Sequence, residues 1–298
     1  MKIKHLKHNE IDRQKWDSCI HNATNSLVYA ESWYLDIVSP YWEALVSEDY
    51  EYVMPLPTKR KYGIPFLVQP PLTQQLGVFS SHSIDENTVE LFMQKIPYRS
   101  YHLCFNEQNT CSRMVKQPNS ILNLSRNYDA VFSSYSTNTK RNLKKAQQYN
   151  IEIKADLSAN EFLEFYHSIT KNYGELPKTK VILLLRESLK NDKATIYGAY
   201  NENNRLISTL CLLHSQQRLI YLLPVSNREG KEKLAMFKIV NEIIRKYANS
   251  NFLFDFAGSS VKNIARFYEG FGAEIVFYGE VKRWSINDFI TYFCFWKV

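Results

Sequence analysis

Glycine and paired cysteines are both scarce in this sequence. The chain has only 9 glycines in 298 residues, which argues against the glycine-rich fingerprint of a dinucleotide-binding fold. Its five cysteines, Cys19, Cys104, Cys111, Cys211 and Cys294, include no Cys-x-x-Cys pair, and their number is odd. Such usage is typical of reduced thiols in a cytoplasm rather than of a disulfide framework or a zinc site. We therefore predict no metal site.

Long hydrophobic runs are also missing. No stretch has the length and apolarity that a bilayer-spanning helix needs. The first eight residues carry charge and lack the apolar centre of a signal peptide. These features predict a cytoplasmic protein without stable membrane insertion.

The composition that remains is that of a globular protein with an excess of positive charge. A length of 298 residues exceeds what one hydrophobic core comfortably serves, so two domains are expected. The 37 basic and 30 acidic residues leave a net charge of +7. This balance favours anionic partners such as phosphorylated substrates, nucleotide-bearing lipid intermediates, RNA or a membrane surface, and selects none of them.

The most informative segment runs from residue 218 to residue 273, and a last strand follows it. An apolar strand over 218–224 leads through a polar loop into a helical stripe over 234–247, followed by a strand over 251–256, a helix from about Val261 and a last strand over 274–284. A loop that opens into a helix presents unpaired N–H groups that suit a phosphate or a carboxylate. Arg228, Lys231 and Lys233 add positive charge to it. The loop is either an anion cradle or an ordinary connection with solvated charges.

A second basic segment precedes this region. Lys140, Arg141, Lys144 and Lys145 lie at spacings that place them on one face of a helix, and no acid interrupts them. The face is either a solvated surface or a binding surface for phosphate, for which the forked guanidinium of Arg141 is best suited.

The first half of the chain shows the same order of elements as the second. Residues 58–64 are predicted to form a basic loop, and a stiff proline-framed segment follows over 65–77. The glutamines of that segment, including Gln74, either line a substrate groove or belong to a rigid crossover.

Several motifs resemble those of the GNAT acyltransferases, in the FemABX-like branch of peptidyltransferases. Asn227-Arg-Glu-Gly230-Lys-Glu232 is similar to the GNAT pattern Gln/Arg-x-x-Gly-x-Gly/Ala at its middle glycine, whereas Asn227 and Glu232 do not match. The segment 267–272, Phe-Tyr-Glu-Gly-Phe-Gly, resembles the GNAT ending. Residues 255–259 and the basic segment 136–146 resemble FemAB-like chains, as does the spacing of Tyr29, Ser32 and Trp33.

This resemblance implies an α/β fold of two tandem GNAT-like domains with mixed, mostly antiparallel sheets flanked by helices. Residues 1–126 would form a degenerate N-terminal copy, and residues 127–298 would carry the donor site. The implied activity moves an acyl or aminoacyl group from acyl-CoA or aminoacyl-tRNA to an amine, such as that of a cell-wall or lipid-linked precursor. Acyl-CoA would be a co-substrate rather than a tightly bound cofactor. A DNA partner is not expected, and the oligomeric state is left open.

The resemblance also assigns roles to residues. Tyr268 is the candidate acid for the leaving group and Asp255 the candidate base, although Tyr268 could instead pack in the core and Asp255 could cap a turn. The candidate donor-binding residues are Asn227, Arg228, Gly230, Lys231 and Lys233. The candidate substrate-binding residues are Lys140, Arg141, Lys144, Tyr29, Trp33 and Gln74. Two rival functions remain: a non-catalytic binding protein on the same fold, which the mismatches favour, and a tRNA-associated protein.

Overall fold

The computed structural model describes residues 1–170, 178–258 and 261–284. Its α-helices are α1 (Arg13–Asn22), α2 (Ser32–Val38), α3 (Glu86–Gln94), α4 (Tyr128–Ser133), α5 (Thr137–Ala146), α6 (Ala159–Thr170), α7 (Lys178–Lys190), α8 (Arg228–Glu232), α9 (Ala235–Tyr247) and α10 (Lys262–Gly270). Its strands are β1 (Ile3–Leu6), β2 (Glu43–Ser47), β3 (Tyr52–Leu56), β4 (Thr58–Lys61), β5 (Ile64–Val68), β6 (Phe79–Ser80), β7 (Tyr101–Phe105), β8 (Val115–Asn123), β9 (Glu152–Lys154), β10 (Ala194–Tyr200), β11 (Leu206–Ser215), β12 (Arg218–Ser226), β13 (Leu253–Asp255) and β14 (Glu274–Arg283).

The chain divides into two compact units. The first holds residues 1–117 together with the end of β14 from Phe277, and the second holds residues 118–276. A compact unit is not necessarily a domain that folds independently. The predicted domain boundaries, 1–126 and 127–298, therefore stay a prediction.

The first unit contains a small antiparallel sheet and a second strand group. The sheet has the order β1-β2-β3-β6, and its strands β2 and β3 are almost completely buried. The second group pairs β4 with β5, β5 with β7, and β7 with residues 279–283 of β14. Leu67, Phe92, Leu103 and Phe105 belong to the core of this unit.

The predicted basic loop over residues 58–64 is wrong. Residues 58–61 and 64–68 form the hairpin β4–β5, in which Lys61 pairs with Ile64. Tyr62 and Gly63 both have positive φ, at 49° and 79° respectively. Two consecutive residues with positive φ form the tight turn whose twist matches that of a hairpin. Gly63, after a run of strand-compatible residues, was the sequence signal for this turn. The consecutive charged residues favoured the interpretation as a loop instead.

The second unit is built on the strand order β8-β13-β12-β11-β10-β9. Only β12 and β13 are parallel within this order. Helix α9 contacts β10, β11 and β12, and it buries Ile239, Val240, Ile243 and Ile244 completely. Each such side chain contributes about 1.5–3 kcal/mol of hydrophobic stabilisation when fully buried. The predicted helix over 234–247 is therefore confirmed, because its apolar stripe meets the sheet.

The predicted α/β class, with mixed and mostly antiparallel sheets flanked by helices, is confirmed by these pairings. Within the described residues, no helix combines the length and the apolarity required to cross a membrane.

Candidate active site

The sheet of the second unit is interrupted on β12. Thr209 of β11 pairs with Val225 and Cys211 pairs with Leu222, so two residue steps on β11 face three on β12. Leu223, in the extra stretch, has φ 51°, and the next residue is Pro224, which has no N–H. A bulge of this kind interrupts regular pairing and changes the direction in which nearby backbone groups point.

The interruption coincides with the end of pairing on the other side of β12. The parallel register with β13 covers only Arg218, Leu219 and Ile220. Beyond Ile220, the edge of β12 that faces β13 offers backbone groups outside this ladder. Backbone N–H groups that no neighbouring strand engages can hold a carbonyl oxygen as negative charge develops on it. Sequence reasoning missed this feature, and its only signal was Pro224 inside an apolar run.

Thr209 is a further residue that sequence reasoning missed. It lies at the last regular pair before the bulge, is completely buried, and its Oγ1 has no hydrogen-bond partner among the described residues. A buried hydroxyl without a partner is costly, so such groups in native proteins are uncommon. No pattern in the sequence distinguishes this threonine from its neighbours in the strand.

The predicted donor loop begins with a short helix that the sequence did not predict. Asn227 caps α8: its Oδ1 accepts a hydrogen bond from the N–H of Gly230 at 2.8 Å. Its own N–H donates to the carbonyl of Ile207 at 3.1 Å. These two hydrogen bonds engage backbone N–H groups that an anion cradle would need for binding its anion.

The cations of the same loop are paired with acids. The Arg228 side chain is 93% exposed and lies 2.8 Å from Glu232. Lys233 Nζ lies 2.8 Å from both Glu202 and Glu229. These carboxylates offset the charge that the loop would offer to a phosphate. The roles of Asn227, Arg228, Gly230, Lys231 and Lys233 in donor binding stay predictions.

Gly230 has a packing role that its motif position does not reveal. A Cβ atom at Gly230 would lie 2.2 Å from the carbonyl oxygen of Ile207. The glycine thus lets α8 approach the backbone of β11 closely.

We expect Gly230→Ala to lower the free energy of unfolding by about 1–3 kcal/mol, as overpacking in a rigid contact usually does. The measurement is urea denaturation of the full chain. Lys231→Ala, at the exposed neighbouring position, is the matched control and should change stability by less than about 0.5 kcal/mol. Equal stability of the two variants would contradict the packing role.

Tyr268 lies in an aromatic cluster at the end of α10. Its ring stacks on Phe256, with centroids 4.6 Å apart, and meets Tyr221 edge-on at 5.7 Å. Burial, together with the nearby Asp255, raises the pKa of Tyr268 to about 12. No hydrogen bond to its hydroxyl occurs among the described residues. The side chain is therefore a buried, protonated phenol, and no described residue forms a hydrogen bond to its hydroxyl.

Asp255 is held in a network that occupies both of its oxygens. Oδ2 accepts from Arg218 at 2.8 Å, while Oδ1 accepts from Asn119 at 3.0 Å and from the N–H of Ala257 at 2.8 Å. The carboxylate is 1% exposed. Such an arrangement suits a structural anion. Its predicted role as a base stays untested, and Ser259, at the end of the same motif, lies outside the described residues.

The basic face is confirmed as a helical feature on α5. Arg141, Lys144 and Lys145 are exposed, and Lys140 is half-buried. None of the four forms an ion pair with an acid in the part of the chain that the structure describes. Lys140 donates to the carbonyl of Ser133 at 2.8 Å, and Arg141 donates to Asn138 at 2.9 Å.

Helix α5 lies against the end of the helix that carries Tyr268. A Cβ at Gly270 would lie 2.4 Å from Oγ1 of Thr139, and the carbonyl of Gly270 accepts from the N–H of Ser136 at 2.9 Å. Gly272, with φ 81°, ends the turn after α10. The glycines of the tail motif thus bring the basic helix close to α10.

The remaining predicted residues lie in the first unit. Tyr29 is buried, Trp33 donates to Glu31 at 2.7 Å, and both rings pack edge-on against Tyr34. The hydroxyl of Tyr34 donates to the carbonyl of Leu72, two residues before Gln74. The structure therefore brings these predicted residues into one neighbourhood. Their role in substrate binding stays a prediction.

Comparison with known proteins identifies the fold. No protein-family model and no curated protein matches the sequence. Among solved structures, FemX superimposes with a TM-score of 0.68 at 10% identity, covering 94% of this chain and 97% of FemX. A domain assigned to lysylphosphatidylglycerol synthetase in Agrobacterium fabrum gives 0.57 at 7% identity, covering 95% of each chain. L-PGS from Bacillus licheniformis gives 0.53 at 9% identity, covering 95% of this chain and 94% of L-PGS. The resemblance to the FemABX-like branch is thus confirmed at the level of the fold: this chain has the fold of FemX.

Proposed function

We propose that the protein is an aminoacyltransferase that moves an aminoacyl group from aminoacyl-tRNA to an amine of a cell-envelope precursor. The observation that carries the proposal is the exposed basic face of α5, which has no acidic partner among the described residues. The buried side of the same helix, at Thr139, packs against the helix that bears Tyr268. The shared fold of FemX and of a domain assigned to lysylphosphatidylglycerol synthetase supports the same class of reaction.

The charge distribution favours tRNA over acyl-CoA as the donor. A nucleic acid backbone is bound mainly by unpaired Lys and Arg side chains, which release counterions from the phosphates. Helix α5 offers such side chains, whereas Arg228 and Lys233 of the predicted acyl-CoA loop are paired with carboxylates.

The reaction forms one C–N bond and breaks one C–O bond. The neutral amine attacks the ester carbonyl of the aminoacyl group, the carbonyl oxygen gains negative charge, and the ribose oxygen leaves. Backbone N–H groups near the bulge of β12 suit the developing oxyanion. Tyr268 would give its proton to the leaving oxygen, and the amine proton would pass to a base that is not assigned. No covalent enzyme intermediate is required.

We expect the double variant Arg141→Ala, Lys144→Ala to bind tRNA more weakly than the wild type and with a shallower salt dependence. Each lost phosphate contact should reduce the slope of log affinity against log salt by roughly 1. The measurement is a fluorescence-anisotropy titration with tRNA at several salt concentrations.

Lys178→Ala, Lys190→Ala is the matched control, because it removes the same charge from exposed positions on α7. Its slope should equal that of the wild type. Equal slopes for the two double variants would contradict the role of α5, and a wild type that does not bind tRNA would reject the proposed donor.

Acyl-CoA is the second candidate donor, and one observation favours it. Helix α9 begins after Leu234, which has φ 59° and whose side chain caps none of the first N–H groups of the helix. Such N–H groups suit an anion. Calorimetric titration with CoA and acyl-CoA thioesters separates the two donors. Binding that weakens in Arg228→Ala would favour acyl-CoA, whereas no binding would leave aminoacyl-tRNA.

A further inference from the structure

A cluster of metal-ligating side chains lies in the first unit, and it includes none of the candidate catalytic, donor-binding or substrate-binding residues. His102 and Cys104 alternate along β7, and Glu280 lies on β14 directly opposite Cys104. Because side chains two residues apart on a strand share a face, all three project from one side of the sheet. Their ligand atoms lie within 4.8 Å of one another.

The three side chains provide one nitrogen, one sulfur and one carboxylate oxygen as possible ligand atoms for a single metal ion. Cys104 is 8% exposed, and the side chains of His102 and Glu280 are 20% and 14% exposed. The cluster is therefore shielded but still reachable from solvent. His102 Nε2 and Glu280 Oε1 are already 2.6 Å apart.

The chemistry of this set selects a thiophilic metal. Thiolate and imidazole ligands favour Zn²⁺ over Mg²⁺ and Ca²⁺, which prefer oxygen. Zinc bonds of ~2.0–2.3 Å place tetrahedral ligands roughly 3.5 Å apart. That separation falls between the shortest and the longest distances in the cluster, so small side-chain rotations suffice.

Two neighbours complete the surroundings of Glu280. Gln117 donates to its Oε2 at 2.8 Å, which orients the carboxylate as partners of metal ligands usually do. Lys282 Nζ lies 2.9 Å from Oε1, and its side chain is 48% exposed. The ammonium group neutralises the carboxylate and would compete with a bound cation, yet its exposure allows it to turn into solvent.

We propose that His102, Cys104 and Glu280 form a zinc site with three protein ligands and a fourth position open to solvent. Binding forms Zn–N, Zn–S and Zn–O bonds, and the thiol proton of Cys104 passes to the buffer. The metal would join β7 to β14 across 178 residues of sequence. The proposal does not depend on the proposed transfer reaction.

The test is the affinity of the full-length, chelator-treated and reduced protein for Zn²⁺, measured by competition with a chromophoric chelator. We expect one zinc per chain at this site, and an increase in melting temperature with added zinc because only the folded chain holds the ligands together. Cys104→Ser should bind zinc at least about 100-fold more weakly, since even outer partners of metal ligands change affinity by roughly 10–100-fold.

Two further variants make the test independent of folding defects. Cys111→Ser removes the thiol of a second, more acidic group formed with Glu86 and Glu90, and it should bind zinc as the wild type does. Lys282→Met removes the competing ammonium group and should bind zinc more tightly than the wild type. Cobalt in place of zinc should show a thiolate charge-transfer band that Cys104→Ser loses. No zinc binding by the wild type, or equal affinities of Cys104→Ser and Cys111→Ser, would overturn the proposal.

Discussion

Replacing Tyr268 by phenylalanine is expected to lower the rate of aminoacyl transfer by ~10²–10⁴-fold, the usual contribution of a general acid. The raised pKa of about 12 keeps the phenol protonated throughout the range in which proteins are assayed. A proton donor is therefore present, and the substitution removes the donor while keeping the ring that packs on Phe256. The measurement is single-turnover loss of the amino acid from aminoacyl-tRNA in the presence of amine-bearing acceptors.

The stability of Tyr268→Phe provides the internal check. Because the hydroxyl forms no hydrogen bond among the described residues, the free energy of unfolding should change by less than about 0.5 kcal/mol. Tyr135→Phe is the matched control: this tyrosine is also buried in the second unit, and its hydroxyl donates to Asn241 at 3.2 Å. It should lose about 1 kcal/mol of stability and keep its rate of transfer. A Tyr268→Phe variant that transfers as fast as the wild type would show that Tyr268 only packs.

The pKa of Tyr268 also fixes the sign of a pH effect. An acid whose pKa rises from 10 in the unfolded chain to about 12 in the folded one stabilises the folded state below pH 10, and this contribution is lost as the pH rises towards 12. Ionisation of Tyr268 therefore limits the rate only near pH 12. A loss of activity at lower alkaline pH would belong to another group.

Replacing Asp255 by alanine is expected to lower the free energy of unfolding by about 3–5 kcal/mol, a large part of the total for an ordinary protein. The substitution would remove the carboxylate that lies 2.8 Å from the guanidinium group of Arg218, whose side chain is 12% exposed. It would also remove the acceptor for Asn119 and for the N–H of Ala257. Urea denaturation measures the effect.

Two comparisons separate a structural from a catalytic role of Asp255. Glu232→Ala breaks the exposed pair with Arg228 and should cost less than about 1 kcal/mol. The double variant Asp255→Ala, Arg218→Met should recover part of the stability lost by Asp255→Ala, since the guanidinium group is then removed together with the carboxylate that it binds. A variant that folds normally but transfers slowly would instead identify Asp255 as the base.

These two predictions also test the alternative hypothesis that the chain is a non-catalytic binding protein. A protein that kept the fold but lost catalysis would tolerate Tyr268→Phe in every assay and would still need the Asp255–Arg218 pair. Loss of transfer in Tyr268→Phe together with loss of stability in Asp255→Ala would show that Tyr268 takes part in the reaction and that Asp255 stabilises the fold.

Local patterns were sufficient for most of the secondary structure. The predicted helix over 234–247 differs from α9 by one residue, and the predicted last strand over 274–284 differs from β14 by one residue. In each case the periodicity of apolar residues and the side chains at the ends of the element carry the signal, and both are properties of neighbouring residues. The basic face of α5 follows from the same helical spacing.

Features that depend on distant residues could not be predicted in this way. The bulge on β12 arises from its register with β11, and the position of α8 depends on the hydrogen bond from the N–H of Asn227 to the carbonyl of Ile207. The interpretation of Gly230 as part of a phosphate loop overlooked a carbonyl more than twenty residues away in the sequence.

Local propensity and motif were enough to predict most of the elements and their order, the basic surface and the resemblance to FemABX-like chains. They did not predict the hairpin β4–β5 or helix α8. The pairing of charges, by contrast, depends on the tertiary fold. It joined Arg218 to Asp255 and Lys233 to Glu202, and it placed Glu280 beside His102. The reason is physical: a charge is neutralised, and a metal is held, by groups within a few ångströms in space, whatever their separation along the chain.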